Sequence, residues 1–140
     1  MRMKTMTVIK VRGYHTDGFG HVNHARYMEF LEEARWAYCE ENGISERLFL
    51  EKRISHAVVG ITINFRRSAT TGDCLQIVTG VSKTGKKSYT MGQQIYLKDT
   101  GILVADADVT NVLLDRAGNI LLIDGEIIRL WPDLKELSMK

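Results

Sequence analysis

The sequence predicts an α+β domain in which an antiparallel sheet curls around one long helix. Three observations carry that reading. A helical apolar stripe runs from about His24 to Asn42, alternating segments separated by turn signals fill Ile54 to Leu122, and the only proline is Pro132. A one-sided helix and a sheet of one-sided strands bury each other economically when the sheet wraps the helix.

The elements follow in order. Lys4 to Arg12 alternates and stops at Gly13, which reads as a short first strand. A glycine-rich loop comes next. In the helix, Tyr27, Leu31, Ala34 and Tyr38 fall at i, i+4, i+7 and i+11, with Phe30 widening the stripe. Glu29, Glu33 and Glu40 lie off it, Asn23 or His24 occupies the N-cap position, and Asn42-Gly43 is a stop signal. Ala57, Val59, Ile61, Ile63 and Phe65 then alternate with His56, Val58, Gly60, Thr62 and Asn64. Tyr89, Met91, Ile95 and Leu97 form a second apolar face, and Leu103, Ala105, Ala107, Val109 and Leu113 a third. Turns at Thr71-Gly72-Asp73, Thr84-Gly85-Lys86, Asp99-Thr100-Gly101 and Arg116-Ala117-Gly118-Asn119 imply antiparallel hairpins between consecutive strands. After Asp124, a short helix interrupted at Pro132 is expected.

Composition bounds the function. A chain of 140 residues is one domain, 1–140, large enough to bury a core without disulfides or metal. Hydrophobic residues at 44% and charged residues at 26% describe an ordinary soluble protein, and a net charge of +2 is too small to imply nucleic acid. Cys39 and Cys74 form no CxxC and read as reduced thiols. Met1 to Val8 lacks the apolar run of a signal peptide, and no segment is long enough to cross a membrane, so a cytoplasmic setting is expected.

The chemistry concentrates in Gly13 to Tyr27, which packs one carboxylate, three glycines, three histidines and an asparagine ahead of the helix. A lone acid near a helix N-terminus suits hydrolysis of an activated acyl group. The acid attacks or activates water, and free amides hold the oxyanion. The alternative is that Asp17 only bonds turn amides.

Asp17, His21-Val22-Asn23, Tyr27 and Phe30-Leu31-Glu32-Glu33-Ala34-Arg35 together resemble the hotdog-fold acyl-CoA thioesterases of the 4-hydroxybenzoyl-CoA thioesterase-like branch. Within it, Arg12-Gly13-Tyr14-His15 through Arg35-Trp36 is similar to bacterial long-chain acyl-CoA thioesterases of fatty-acid degradation. The likeness is dense from Val11 to Trp36 and weaker to about Leu122. It implies a hotdog fold, Asp17 as the catalytic carboxylate, and an oxyanion donor in the backbone N–H at about His24. It also implies a site built across a two-subunit interface, hence a homodimer or a dimer of dimers (a homotetramer). The implied substrate is a medium- or long-chain fatty acyl-CoA. No cofactor is implied, since coenzyme A belongs to the substrate. Two departures stand out. His24 replaces an asparagine usual in the nearest branch, as in a related short-chain and aromatic branch, and Ser68 replaces a proline, which affects only a turn.

On that reading the His24 side chain contacts the substrate carbonyl or the leaving thiol, orients water, or stays an exposed first-turn residue. His21 and Asn23 shape the loop. His21 and His24 have metal-ligand spacing but no completing cluster, so no metal is expected. Glu32 and Arg35 suit a surface i, i+3 pair, with Glu32 as the second carboxylate to test. Arg66, Arg67, Lys86, Lys87 and Ser88 are candidates for holding coenzyme A phosphates at the subunit edge or, at least as readily, are solvated charge at strand ends. Tyr27, Met28 and Phe30 are candidates for lining an acyl tunnel, although such a stripe is more often plain core. Alternatives are a thioesterase acting on acyl-carrier protein or aromatic acyl-CoA, and a non-catalytic acyl-CoA binding module. A hotdog dehydratase needs a histidine-plus-acid arrangement that this loop lacks.

Overall fold

The computed structural model describes residues 4–135. The ends of the expected 1–140 unit, including Met1–Met3 of the segment screened for a signal peptide, lie outside the described residues. Five strands form one antiparallel sheet: β1 Lys4–Lys10, β2 Ser55–Phe65, β3 Cys74–Thr84, β4 Tyr89–Leu97 and β5 Leu103–Leu114, in the spatial order β1-β3-β4-β5-β2. The long helix α1, His24–Glu41, lies across one face. Its N-cap is Asn23, whose side-chain oxygen accepts from the Ala25 amide at 2.9 Å.

The anticipated stripe is the buried one. Tyr27, Phe30, Leu31 and Ala34 pack with Leu75, Ile77, Ile95, Ala105 and Ala107 in one core cluster. Tyr38 and Cys39 enter a second with Val81, Tyr89, Met91, Val109 and Leu113. The expected tail helix is α3, Gly125–Leu130, capped by Asp124, and Pro132 opens a separate 3-10 turn. Trp131 and Leu134 plug the second cluster. Among the described residues, no helix is long and apolar enough to cross a membrane.

One element was not anticipated and two expectations need correcting. A helix α2, Glu46–Lys52, precedes β2. Ser45 caps it by accepting from the Leu48 amide, and Arg53 ends it at φ 59°. Consecutive strands form hairpins for β3–β4 and β4–β5 only, because β2 crosses to the far edge and pairs with β5. The clean alternation of β2 is also broken. Val58 opposes Asn111 while Gly60 opposes Thr110, so Val59 is an inserted residue, a bulge that flips the side-chain phase. Directly paired residues share a face, so His56 and Val58 join Ile61, Ile63 and Phe65 on the helix side, without Ala57 and Val59. Even so, Val58, Ile61 and Phe65 stay exposed on this edge strand.

Candidate active site

The Asp17 loop is a small hairpin closed at its base. Beyond β1, Val11 donates to the Asp73 carbonyl at 2.8 Å, and one 3-10 turn, Gly13–His15, reverses the chain. Thr16 then bridges Val22 antiparallel, and the Asp17 amide donates to the His21 carbonyl at 2.9 Å. Gly20, at φ 83°, supplies the left-handed turn that lets its amide return to the Asp17 carbonyl. The outer arm is fastened to the 66–70 segment: Val22 donates to the Ala69 carbonyl at 2.9 Å, and His21 bridges Thr70.

This architecture presents two complementary groups. Asp17 Oδ1 accepts from the Phe19 amide at 2.8 Å, and among the described residues Oδ2 has no partner. At the helix start, Asn23 donates to the His15 carbonyl, Ala25 to Asn23 Oδ1, and Arg26 to the Asn23 carbonyl. The His24 amide between them donates to nothing among the described residues. A free carboxylate oxygen and an unpaired N–H at a helix N-terminus are what an acyl-transfer site needs.

Asp17 and His24 both line one cleft, together with His21, Val22, Tyr27, Phe65, Arg66, Arg67 and Ser68. Tyr27 is part of its floor but belongs chiefly to the core. Its ring packs against Phe30 and Phe65 at centroid distances of 5.9 and 5.4 Å, and burial pushes its phenol above the ordinary value. Phe30 is wholly core, while Met28 is half-buried. On the opposite wall, Arg66 and Arg67 hang from the Val104 carbonyl, which accepts both amides. Arg66 Nε lies 2.8 Å from Asp106 Oδ2, a pairing that raises the guanidinium and lowers the carboxyl from their usual values. Arg67 makes no ion pair among the described residues and is the cation available to an anionic ligand. Ser68, expected to matter only to a turn, is part of the wall beside it.

Two expectations are not met within the single chain. Lys87 and Ser88 sit beyond Thr84, whereas the cleft adjoins the Cys74 end of the same strand, where Lys10 pairs with Cys74. At ~3.4 Å per residue the length of β3 separates them by roughly 30 Å within one chain. Arg35 and Glu32 form no ion pair among the described residues. Arg35 turns inward and donates to Gln93 Oε1 at 3.1 Å, and Gln93 in turn bonds the Leu31 carbonyl and Thr79. A buried glutamine needs partners on both amide atoms, and this demand outweighs a surface pair.

Toward the far end of α1 a second, partly open pocket is walled by Trp36, Cys39, Phe49, His56, Tyr89 and Trp131. Burial pushes the Cys39 thiol up to about 12, which leaves it an inert core group. Among the described residues, no three His, Cys, Asp or Glu side chains converge as a metal cage would.

The chain is similar to known thioesterases. The model of the thioesterase-like superfamily matches residues 11–136. The long-chain acyl-CoA thioesterase FadM of Escherichia coli K12 is 44% identical over 122 residues, covering 86% of this chain and 92% of that protein. Among solved structures, the probable thioesterase YbaW of Escherichia coli is 40% identical with a TM-score of 0.84, covering 92% of this chain and 97% of its own. The 1,4-dihydroxy-2-naphthoyl-CoA thioesterase Slr0204 of Synechocystis, at 16% identity, covers 99% of this chain and 100% of its own with a TM-score of 0.83, a likeness of fold.

Proposed function

We propose, on the premise that this chain belongs to the thioesterase-like superfamily and has its hotdog fold, that it hydrolyses long-chain fatty acyl-CoA to the free acid and coenzyme A. The observation that carries the reading is that Asp17, with a carboxylate oxygen unpartnered among the described residues, lines the same cleft as His24, whose amide is likewise unpartnered among them. In the reaction, Asp17 attacks the thioester carbonyl, or takes a proton from the water that attacks it. The carbonyl oxygen becomes an oxyanion held by the His24 N–H, and the C–S bond breaks to release coenzyme A thiolate, which takes up a proton. By the nucleophilic route, water then cleaves the acyl–Asp17 anhydride and regenerates the carboxylate. The His24 side chain stands at the cleft to orient water or meet the departing sulfur. Long-chain preference is supported by the relative FadM, and the exposed Phe65 ring adds an apolar group to the cleft. A thiol-release assay across acyl-CoA lengths tests it. Turnover rising toward long chains is expected, while preference for aromatic acyl groups or for acyl-carrier protein would overturn the substrate assignment, and tight binding without thiol release would overturn catalysis itself.

Arg67 holds a phosphate of coenzyme A. Arg67→Ala is expected to raise KM for acyl-CoA about 3- to 10-fold with kcat little changed, since an exposed charge-assisted contact is modest in strength. An acyl-pantetheine substrate, which lacks the nucleotide phosphates, should show no such shift. Equal loss on both substrates would sink the phosphate role.

The active unit is a homodimer joined through β2. Edge strands with exposed apolar side chains invite pairing with another chain, and β2 carries Val58, Val59, Ile61 and Phe65 exposed beside the cleft. Ile61→Lys is therefore expected to convert the dimer to a monomer in sedimentation analysis and to remove most turnover. A fully active monomer would refute the shared site.

A further inference from the structure

Of the four histidines, His15 alone is buried, at 8% exposed, two residues before Asp17 in a stretch, 13–21, that is otherwise exposed or half-exposed. Its bonds reach three parts of the fold. Nδ1 accepts from the Arg12 amide at 2.8 Å, just past the end of β1. Its carbonyl accepts from the amide of Asn23, the cap of α1, at 2.9 Å. Its ring stands edge-on to Phe30 of α1, with centroids 4.8 Å apart, and lies tilted against Tyr14 at 4.3 Å. An accepting Nδ1 carries no proton, so the neutral ring holds its hydrogen on Nε2.

We propose that His15 is the positioning residue of this site. Its neutral imidazole, with Nδ1 bound to the Arg12 amide and its ring against Phe30, fixes the residue whose carbonyl receives the Asn23 amide, and this latch holds the Asp17 carboxylate in register with the His24 amide. The proposal rests on Asp17 being the catalytic carboxylate. The six-residue span from Asp17 to Val22 makes its own turn bonds, but its two roots, at Thr16 and at Asn23, meet at His15.

Protonation would undo the latch. A hydrogen on Nδ1 would face the Arg12 N–H, replacing a bond with donor-to-donor repulsion. Burial foremost, then Arg26 of α1 and more weakly Arg12, hold His15 below the ordinary imidazole value, with Glu29 of α1 opposing. The sign follows from linkage. The unfolded or unlatched chain takes the proton at the higher, ordinary pH, so the latch is intact above that value and is lost as pH falls toward the lowered native one.

Two measurements test the proposal. The 15N shifts of the His15 ring at neutral pH should show a pyridine-like Nδ1 and a pyrrole-like Nε2; an Nδ1–H tautomer overturns the latch. Kinetically, His15→Asn places an amide oxygen near the Nδ1 position without a titrating group, and His15→Phe fills the space without an acceptor. His15→Asn is expected to keep kcat within about tenfold of the parent and to lose the acid limb of the kcat profile below about pH 6.5. His15→Phe is expected to lower kcat about 100-fold with KM little changed, the scale of a small misplacement of a catalytic group. A folded His15→Phe with parental kcat, or His15→Asn with its acid limb intact, overturns the proposal. If His15→Phe does not fold, the ring tautomer and the asparagine variant decide. Failure of the underlying assignment is separately visible: an Asp17→Asn protein with parental turnover would leave the His15 ring shifts unchanged.

Discussion

Asp17→Asn is expected to lower thioester turnover by about 100- to 10,000-fold, the range spanned by removal of a positioned general base, while leaving the fold intact. The loss follows from charge: a carboxamide neither takes a proton from water nor attacks a thioester. Structural tolerance follows from the surroundings. The Asp17 side chain is exposed, and its bond among the described residues is the one Oδ1 accepts from the Phe19 amide. Asparagine keeps an oxygen at that position, so the turn retains its bond. Thermal midpoint and oligomer size should therefore stay close to the parent while thiol release collapses. The comparison with His24→Ala separates the two halves of the site. That variant removes an imidazole but leaves the backbone N–H in place, so an oxyanion donor in the main chain predicts a loss well short of that for Asp17→Asn. Parental turnover in Asp17→Asn would refute the assignment of the acid.

What could be read from the sequence was what local spacing determines. The stripe of Tyr27, Leu31, Ala34 and Tyr38 is a 3.6-residue period, and the helix it specifies is the one observed, down to the Asn23 cap. The β4 face and most of the β5 face are period-two patterns with a hairpin turn between them and were legible, except that a register shift beside Ile95 puts Val104, not Leu103, in the core. The position of β2 was not, because its partner, β5, lies about fifty residues on and no local signal names it. Thr71-Gly72-Asp73 reads as a hairpin turn, yet its glycine donates to the Val11 carbonyl, stitching the start of β3 to the end of β1. The bulge at Val59 left one trace, Gly60 inside a strand pattern, which is a known mark of such irregularities. Helix α2 was marked by Ser45 ahead of Glu46 and by Lys52 in the last turn, although seven residues are too few for a clear stripe.

The candidate site divides the same way. Asp17, His24, Arg66 and Arg67 share a cleft because the 66–70 segment is tied to His21 and Val22, a tertiary fact that no local spacing carries. Lys87 and Ser88 are polar residues at a turn just as Arg67 and Ser68 are. Only the strand direction of β3 separates the two ends of the sheet. His15 carried no signal to set it apart from His21 and His24, since its burial comes from Phe30 in the next element.

The largest effect on stability is expected at Trp131, far from the Asp17 loop. Its indole is 3% exposed and packs against Tyr89 with ring centroids 4.8 Å apart and against Tyr38 at 6.0 Å. Nε1 donates to the Tyr38 hydroxyl at 3.0 Å, and that hydroxyl donates in turn to Asp133, so the tail clamps the C-terminal half of α1 through one polar chain inside an apolar cluster. Burial and the bond to Asp133 both push the Tyr38 phenol far above its ordinary value, which keeps it a donor at any working pH. Trp131→Ala leaves a cavity and strips the hydroxyl of its donor, a loss of about 3–5 kcal/mol. In a domain of this size that corresponds to a fall in thermal midpoint of roughly 10–15 °C. Trp131→Phe should recover most of it, because the ring still fills the space and only the Nε1 bond, worth about 1 kcal/mol, is gone. Tyr38→Phe should cost about 1–3 kcal/mol, since it leaves the buried indole N–H without an acceptor. The two losses are not additive in the double variant Tyr38→Phe with Trp131→Phe, where both ends of the bond are removed together, so its stability should lie above the sum. Strict additivity in that cycle would mean that the tail is held by packing alone.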